Sequence, residues 1–265
     1  MKGLHVASLL GAMLLFLTSG SAWAEMVEIT AYDENSKRET GWHGKIEDNE
    51  VEPGMERSQA WDLEAFYVEK SAQKIMLEMV GGYDFMNGQR ANGHTYTAGD
   101  VFIDIDGNAE YGDIHNHSTD NSMSVKDTFG YDYVLDMNWS AKTYDILRLS
   151  PDSSTLTAYY AQNQGSNPWL YDSGGETIET GLSFDYTYFE TYNGLLGIGH
   201  NVVGMDISFL LDEEVPYKGY FTASNTMECG NDNLIGVSPA PEPATMLLFG
   251  TGLAGLIGRR IRRKK

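Results

Sequence analysis

Alternation of apolar and polar side chains with a period of two residues recurs along this chain and constrains its fold more than any other feature. Trp61-Asp62-Leu63-Glu64-Ala65-Phe66-Tyr67-Val68 sets Trp61, Leu63, Ala65 and Tyr67 on one face, and Val101-Phe102-Ile103-Asp104-Ile105-Asp106 turns Val101, Ile103 and Ile105 inward. Residues 131–139, 182–188 and 205–211 repeat the pattern, and 74–80 adds a further apolar stretch. Successive side chains of a strand point to opposite faces, so these are half-buried antiparallel strands with one polar face. Turn signals separate them: Asn87-Gly88, Asn92-Gly93, Asp106-Gly107, Ser173-Gly174-Gly175 and Asn193-Gly194. Two sheets packed face to face would bury the apolar faces. The expected fold is therefore all-β, an antiparallel, jelly-roll-like β-sandwich. A helix over 58–75 is the rival reading, from Glu64, Ala65, Glu69 and Lys70, but aromatic residues at odd positions favour the strand. Residues 224–240 read as a final strand running into a linker.

The two ends stand apart from this body. Lys2, the apolar run Leu9–Leu17 and the small residues Ala22 and Ala24 form a secretory signal peptide over 1–24, cut by signal peptidase before Glu25. At the other end Pro241-Glu242-Pro243 precedes the uncharged run Thr245–Gly258, which is followed by six cations in 259–265. As a helix that run would span about 21 Å, at ~1.5 Å per residue, short of the ~30 Å hydrocarbon core. The basic cluster favours a cytoplasmic C-terminus. The expected organisation is a leader (1–24), an acidic β domain (25–237) and a sorting tail (238–265) carrying a short transmembrane helix.

The tripeptide, the glycine-dotted apolar run and the basic end, in that order, resemble the PEP-CTERM sorting domain of exopolysaccharide-producing Gram-negative bacteria. The resemblance implies recognition by an exosortase and cleavage near Pro241–Pro243. It also implies passage through the inner membrane, then release or attachment at the cell surface. Pro241, Glu242 and Pro243 would be recognition residues. The stretches 61–67, 99–106 and 131–134 are similar to extracellular β-sandwich modules of the DOMON and carbohydrate-binding type, which implies a sandwich and ligand binding but no reaction.

Charge narrows the function. Lys2, the six tail cations and Glu242 lie outside the body, so 11 of the 18 cations face 37 of the 38 acids there, a net charge of −26. Nucleic-acid binding is disfavoured, because no basic patch displaces phosphate counterions. The chain has one cysteine, Cys229, so it forms no intramolecular disulfide. Asp104-Ile105-Asp106-Gly107-Asn108, with Asp100 before it, is a candidate calcium loop, since calcium takes six to eight hard oxygens. It is not an EF-hand: glycine stands at the fourth loop position instead of the sixth, and His115 at the twelfth. His115 and His117 with Asp113 form a weaker candidate pair for a transition metal. Tyr159, Tyr160, Trp169, Tyr171, Tyr186, Tyr188 and Tyr192 are candidates for a sugar-binding surface. Catalytic signatures (Gly-x-Ser-x-Gly, His-Glu-x-x-His, a P-loop, a dinucleotide fingerprint) are absent from the sequence. The expectation is a non-enzymatic surface protein acting as a structural or carbohydrate-binding component of extracellular polysaccharide. The alternative is a secreted glycoside hydrolase or lyase using carboxylates.

Overall fold

The computed structural model describes residues 26–31, 47–48, 51, 55–110 and 121–239. They build an antiparallel β-sandwich. One sheet has five strands in the order β1 (Val27–Glu28), β3 (Leu63–Lys70), β4 (Ile75–Gly81), β15 (His200–Asp206), β14 (Asp185–Phe189). The other has seven: β13 (Glu176–Ser183), β10 (Thr143–Arg148), β9 (Tyr133–Asn138), β7 (Val101–Asp104), β16 (Thr222–Thr226), β17 (Asn233–Val237), β2 (Thr30–Ala31). Between them lies one core, with Leu63, Phe66, Leu77, Met79 and Val203 from the first sheet against Val101, Ile103, Leu135, Ile146 and Leu234 from the second. A third sheet of β12 (Leu170–Ser173), β11 (Ser154–Leu156) and β8 (Ser124–Val125) covers the outer face of the second. Beneath it Phe102, Phe129, Tyr131, Val134 and Leu147 form a smaller buried cluster. The hairpin β5 (Gln89–Ala91) and β6 (His94–Tyr96) turns through Asn92 and Gly93, whose φ values of 51° and 84° suit a type I′ turn.

The strands of β7 and β9 face as expected, with Val101, Ile103, Leu135 and Met137 inward. Residues 63–70 are strand, so the helical reading fails there. The expected facing of β3 needs a correction. A β-bulge falls between Leu63 and Ala65, where the pairing with β4 shifts register. The extra residue re-aims the strand. Leu63, Phe66 and Val68 therefore enter the main core, while Ala65 and Tyr67 join an outer cluster with Val80 and Val202.

Three other segments also depart from their expected form. The stretch 182–188 is two strands, because it changes sheet at Phe184: Ser183 pairs with Thr143 in one sheet and Asp185 with Gly204 in the other. Phe184 is buried at the corner. The stretch 205–211 leaves the sheet after Asp206, whose carboxylate accepts the N–H of Ser208 and starts a 3-10 turn over Ser208–Leu211. Residues 224–240 contain a hairpin in place of one strand, since β16 pairs with β17 across 227–232. The end of that hairpin is clamped. Lys70 Nζ donates to Ser238 Oγ at 2.9 Å, Gly219 O at 3.0 Å and Pro239 O at 3.4 Å.

Candidate functional site

The expected calcium loop follows β7. Asp104, Asp106 and Asp132 bring carboxylate oxygens within 4.8 Å of one another. Asp104 is already committed to its own loop. Its Oδ1 accepts the N–H groups of Asp106 (2.9 Å) and Gly107 (2.8 Å), and its Oδ2 accepts that of Ala109 at 3.3 Å. Asp132 Oδ2 accepts Ile105 N–H at 2.8 Å. Asn108 donates its amide to Asp106 Oδ2 at 3.0 Å. Backbone donors thus compete with any cation for these lone pairs. Asp100 is not brought to this group; its two oxygens bind the N–H groups of Met137 and Tyr171. Asp113, His115 and His117 lie outside the described residues.

The aromatic candidates disperse. Trp169 is buried, Tyr186 donates its hydroxyl to Asn201 and Tyr192 donates to Glu78. Tyr188 is exposed on β14. Tyr186 and Tyr192 both line a groove with Glu78 and Phe189, and the rings of Tyr159 and Tyr160 meet at 4.9 Å. Tyr160 lines an open cleft of about 210 Å³ together with Trp61, Tyr96, Met55, Glu56, Asn92, Gln162 and Asn231. Ring centroids lie 5.9 Å apart for both Trp61–Tyr96 and Tyr96–Tyr160, and the hydroxyls of Tyr96 and Tyr160 are hydrogen-bonded. Next to them His94 stacks on Tyr159 at 5.5 Å and meets Glu228 at 3.0 Å through Nε2. Trp61 escapes a sequence reading because its alternation marks it as core, which it also is, and Tyr96 because nothing in its short hairpin strand singles it out.

Cys229 borders the same cleft but is 3% exposed, and burial pushes its thiol up to about 12. The thiolate is the reactive form. The folded protein is therefore expected to resist iodoacetamide at pH 8 and to be alkylated fully in urea. Mass spectrometry of the two samples checks this, and rapid labelling of the native protein would contradict it.

A second acidic cluster was hidden by the strand pattern. Asp48, Asp62 and Glu64 bring carboxylate oxygens within 4.8 Å of one another. Asp62 and Glu64 are wholly buried, and Asp48 is half-buried. Glu64 sits at the bulge of β3 and accepts a hydrogen bond from the Gln59 amide. Its Oε2 lies 2.7 Å from Nδ1 of His200, the first residue of β15. His200 is wholly buried, and its Nε2 has no hydrogen-bond partner. Asp48 Oδ2 accepts Leu196 N–H at 2.8 Å. Burial, with the charges of Asp62 and Asp48, raises Glu64 to about 9, and burial lowers the pKa of His200. On an alternating strand Asp62 and Glu64 read as a solvated face; the loops that cover them leave no trace in the periodicity.

Residues 239–264 match the family described as the PEP-CTERM protein-sorting motif. The match contains Pro241, Glu242, Pro243, the apolar run and the basic end. No curated protein and no solved structure matches the chain. Among the described residues no helix is long and apolar enough to cross a membrane, and the run 245–258 lies outside them.

Proposed function

We propose that this exported, exosortase-sorted protein is a non-catalytic component of the extracellular polysaccharide matrix that holds a sugar ring in the cleft of Trp61, Tyr96 and Tyr160. The cleft is the observation that carries the reading. Tyr160, half-buried, offers apolar contact to a sugar ring beside the buried Trp61 and Tyr96, while Glu56, Asn92, Gln162 and Asn231 supply polar atoms for hydroxyls. Its volume is below the ~300–1,000 Å³ of pockets for drug-sized ligands, which suits one ring better than an enclosed oligosaccharide. Glycosidic hydrolysis requires two carboxyl groups flanking the bond. Glu56 is the one acid among the described residues that line this cleft, which favours binding over the hydrolase or lyase alternative.

In this reading the leader 1–24 delivers the chain to the secretion machinery and signal peptidase. The tail then holds it in the inner membrane until exosortase acts near Pro241–Pro243. Mass spectrometry of the mature C-terminus tests that step: an intact Lys265 on the surface protein would oppose it.

Purified full chain should bind soluble polysaccharides on a glycan array without releasing reducing ends. Tyr160→Ala should weaken binding about tenfold, equivalent to ~1.4 kcal/mol. Release that one carboxylate substitution abolishes would establish the enzymatic alternative, and no binding to any glycan would end the matrix-binding reading.

A further inference from the structure

We propose that a groove on the outer face of the five-stranded sheet, beside β14, is a second glycan site that takes a sugar bearing a free, protonated amine; the sugar part rests on the matrix-binding reading above. Leu77, Met79, Val203 and Met205 fill the main core from β4 and β15, so Glu78, Val202 and Gly204 face outward. An opening of about 300 Å³ lies over them, walled by Asp185, Thr187 and Phe189 of β14 and by Tyr192. None of these residues lines the Tyr160 cleft.

Gly204 forms the floor of the groove. Asp185 pairs with Gly204, and Gly204 with Glu78, so the two acids stand in one row with the glycine between them. Their backbones are two strand spacings apart, about 10 Å. A Cβ added at Gly204 would meet only Asp185 Cβ, at 3.7 Å, and the backbone there is not left-handed. Neither crowding nor conformation therefore calls for glycine, although glycine weakens a strand interior. Such a glycine marks a place where a ligand or another backbone approaches closely. Among the described residues no backbone does so above Gly204.

The two ends of the groove identify its occupant. At one end Phe189 is 39% exposed, and its ring lies 5.2 Å from that of Tyr192, offering apolar faces to a sugar ring. At the other, the carboxylates of Glu78 and exposed Asp185 flank the notch over Gly204. The Tyr192 hydroxyl donates to Glu78 Oε2 at 2.6 Å and holds that side chain at the wall. Among the described residues that line the groove there is no lysine, arginine or histidine. An ammonium group set between the two acids gains charge-assisted hydrogen bonds, and the rings beside it favour a cation further. An amino sugar carries its apolar face and its ammonium on one rigid body, which limits the ordering cost of binding. A lysine side chain or a polyamine brings a flexible stem that must be ordered. From Asp185 to Phe189 the strand runs about 13 Å, which gives room for a ring and its neighbour.

Calorimetric titration of the full chain in detergent at about pH 6, where a primary amine is charged, compares the glucosamine trimer with the N-acetylglucosamine trimer. Acetylation removes the charge and keeps the ring. The free-amine trimer should bind about tenfold more tightly. Asp185→Asn and Phe189→Ala, both at exposed positions, should each weaken its binding about fivefold. Tyr160→Ala should leave it unchanged, as should Glu179→Gln, which removes the same charge from an exposed position on β13 of the other sheet. Equal affinity for the two trimers, full affinity in Asp185→Asn or Phe189→Ala, or a loss in Tyr160→Ala or Glu179→Gln would overturn the assignment. Spermidine binding as tightly as the glucosamine trimer would also overturn it. A chain that binds other glycans through the Tyr160 cleft but not the glucosamine trimer keeps the matrix-binding reading and loses this groove; one that binds no glycan loses both.

Discussion

Replacing Asp100 with alanine is expected to destabilise the protein by about 2–6 kcal/mol. Asp100 is 1% exposed, and its carboxyl joins two sheets: Oδ1 accepts Met137 N–H of β9 at 2.8 Å and Oδ2 accepts Tyr171 N–H of β12 at 2.7 Å. Alanine would strand both donors, and a buried group left without its hydrogen bond costs ~1–3 kcal/mol. Urea denaturation of wild type and variant measures the difference; a loss below ~1 kcal/mol would mean that water replaces the carboxyl. The same residue sets a pH dependence. Burial and the neighbouring Asp136 raise the pKa of Asp100 well above that of an ordinary carboxyl. Asp136, which faces Asp145 across β9 and β10, is raised by burial and by that charge. The folded protein therefore binds more protons than the unfolded chain above pH ~4. The stability these groups contribute is full below their unfolded pKa and is lost as pH rises through the raised folded values. Unfolding free energy should increase on moving from pH 8 to pH 5, and the increase should be smaller in Asp100→Ala.

The second large effect is expected at Phe66, where alanine should cost about 3–5 kcal/mol, as truncation of a buried aromatic does. Phe66 is wholly buried and crosses from β3 toward the opposite sheet. It stands over Gly236 of β17, where an added Cβ would lie 2.8 Å from Phe66 Cβ and 3.1 Å from Ile29 Cδ1. The glycine is required here by the ring above it. Gly236→Val alone should therefore overpack the site and cost ~1–3 kcal/mol. Combined with Phe66→Ala, the valine keeps its 2.8 Å conflict with the remaining Cβ but loses that with the ring carbon Cδ2 at 3.0 Å, so the double variant should recover part of the overpacking and be more stable than the two losses predict when added. Strict additivity in chemical denaturation would argue against direct packing of the two sheets at this point.

The legible part of the fold is the part that follows local periodicity. The alternation in 101–106 and 131–139 gives the inward sets of β7 and β9 correctly, and the Asn92-Gly93 pair marks its hairpin. The bulge beside Glu64 is different in kind. The apolar residues continue on odd positions through Tyr67, so nothing in the pattern reveals that Phe66 and Val68 take the core side. Phe184 likewise looks like one more alternating residue, although the chain leaves one sheet there for the other. The carboxylates show the same limit. Asp62, Glu64 and Asp100 occupy polar positions, yet loops and the third sheet bury them, and pairing over more than 30 residues decides what they touch. In the cleft, Tyr160 comes from a loop, Tyr96 from a hairpin and Trp61 from a 3-10 turn, three segments joined only by tertiary packing.

The Lys70 clamp on Ser238 and Pro239 has a geometric consequence for processing. Ordered hydrogen bonding reaches within a few residues of Pro241–Pro243, and the apolar run starts at Thr245. Six residues of extended chain reach ~20 Å at most. On the proposed sorting route, a run held in the bilayer would keep the Lys70 end of the sandwich within that reach of the headgroups. Exosortase would then meet its bond in a gap no wider than about four strand spacings. A cut near Pro241–Pro243 would fall beyond Pro239 and leave the Lys70 hydrogen bonds in place.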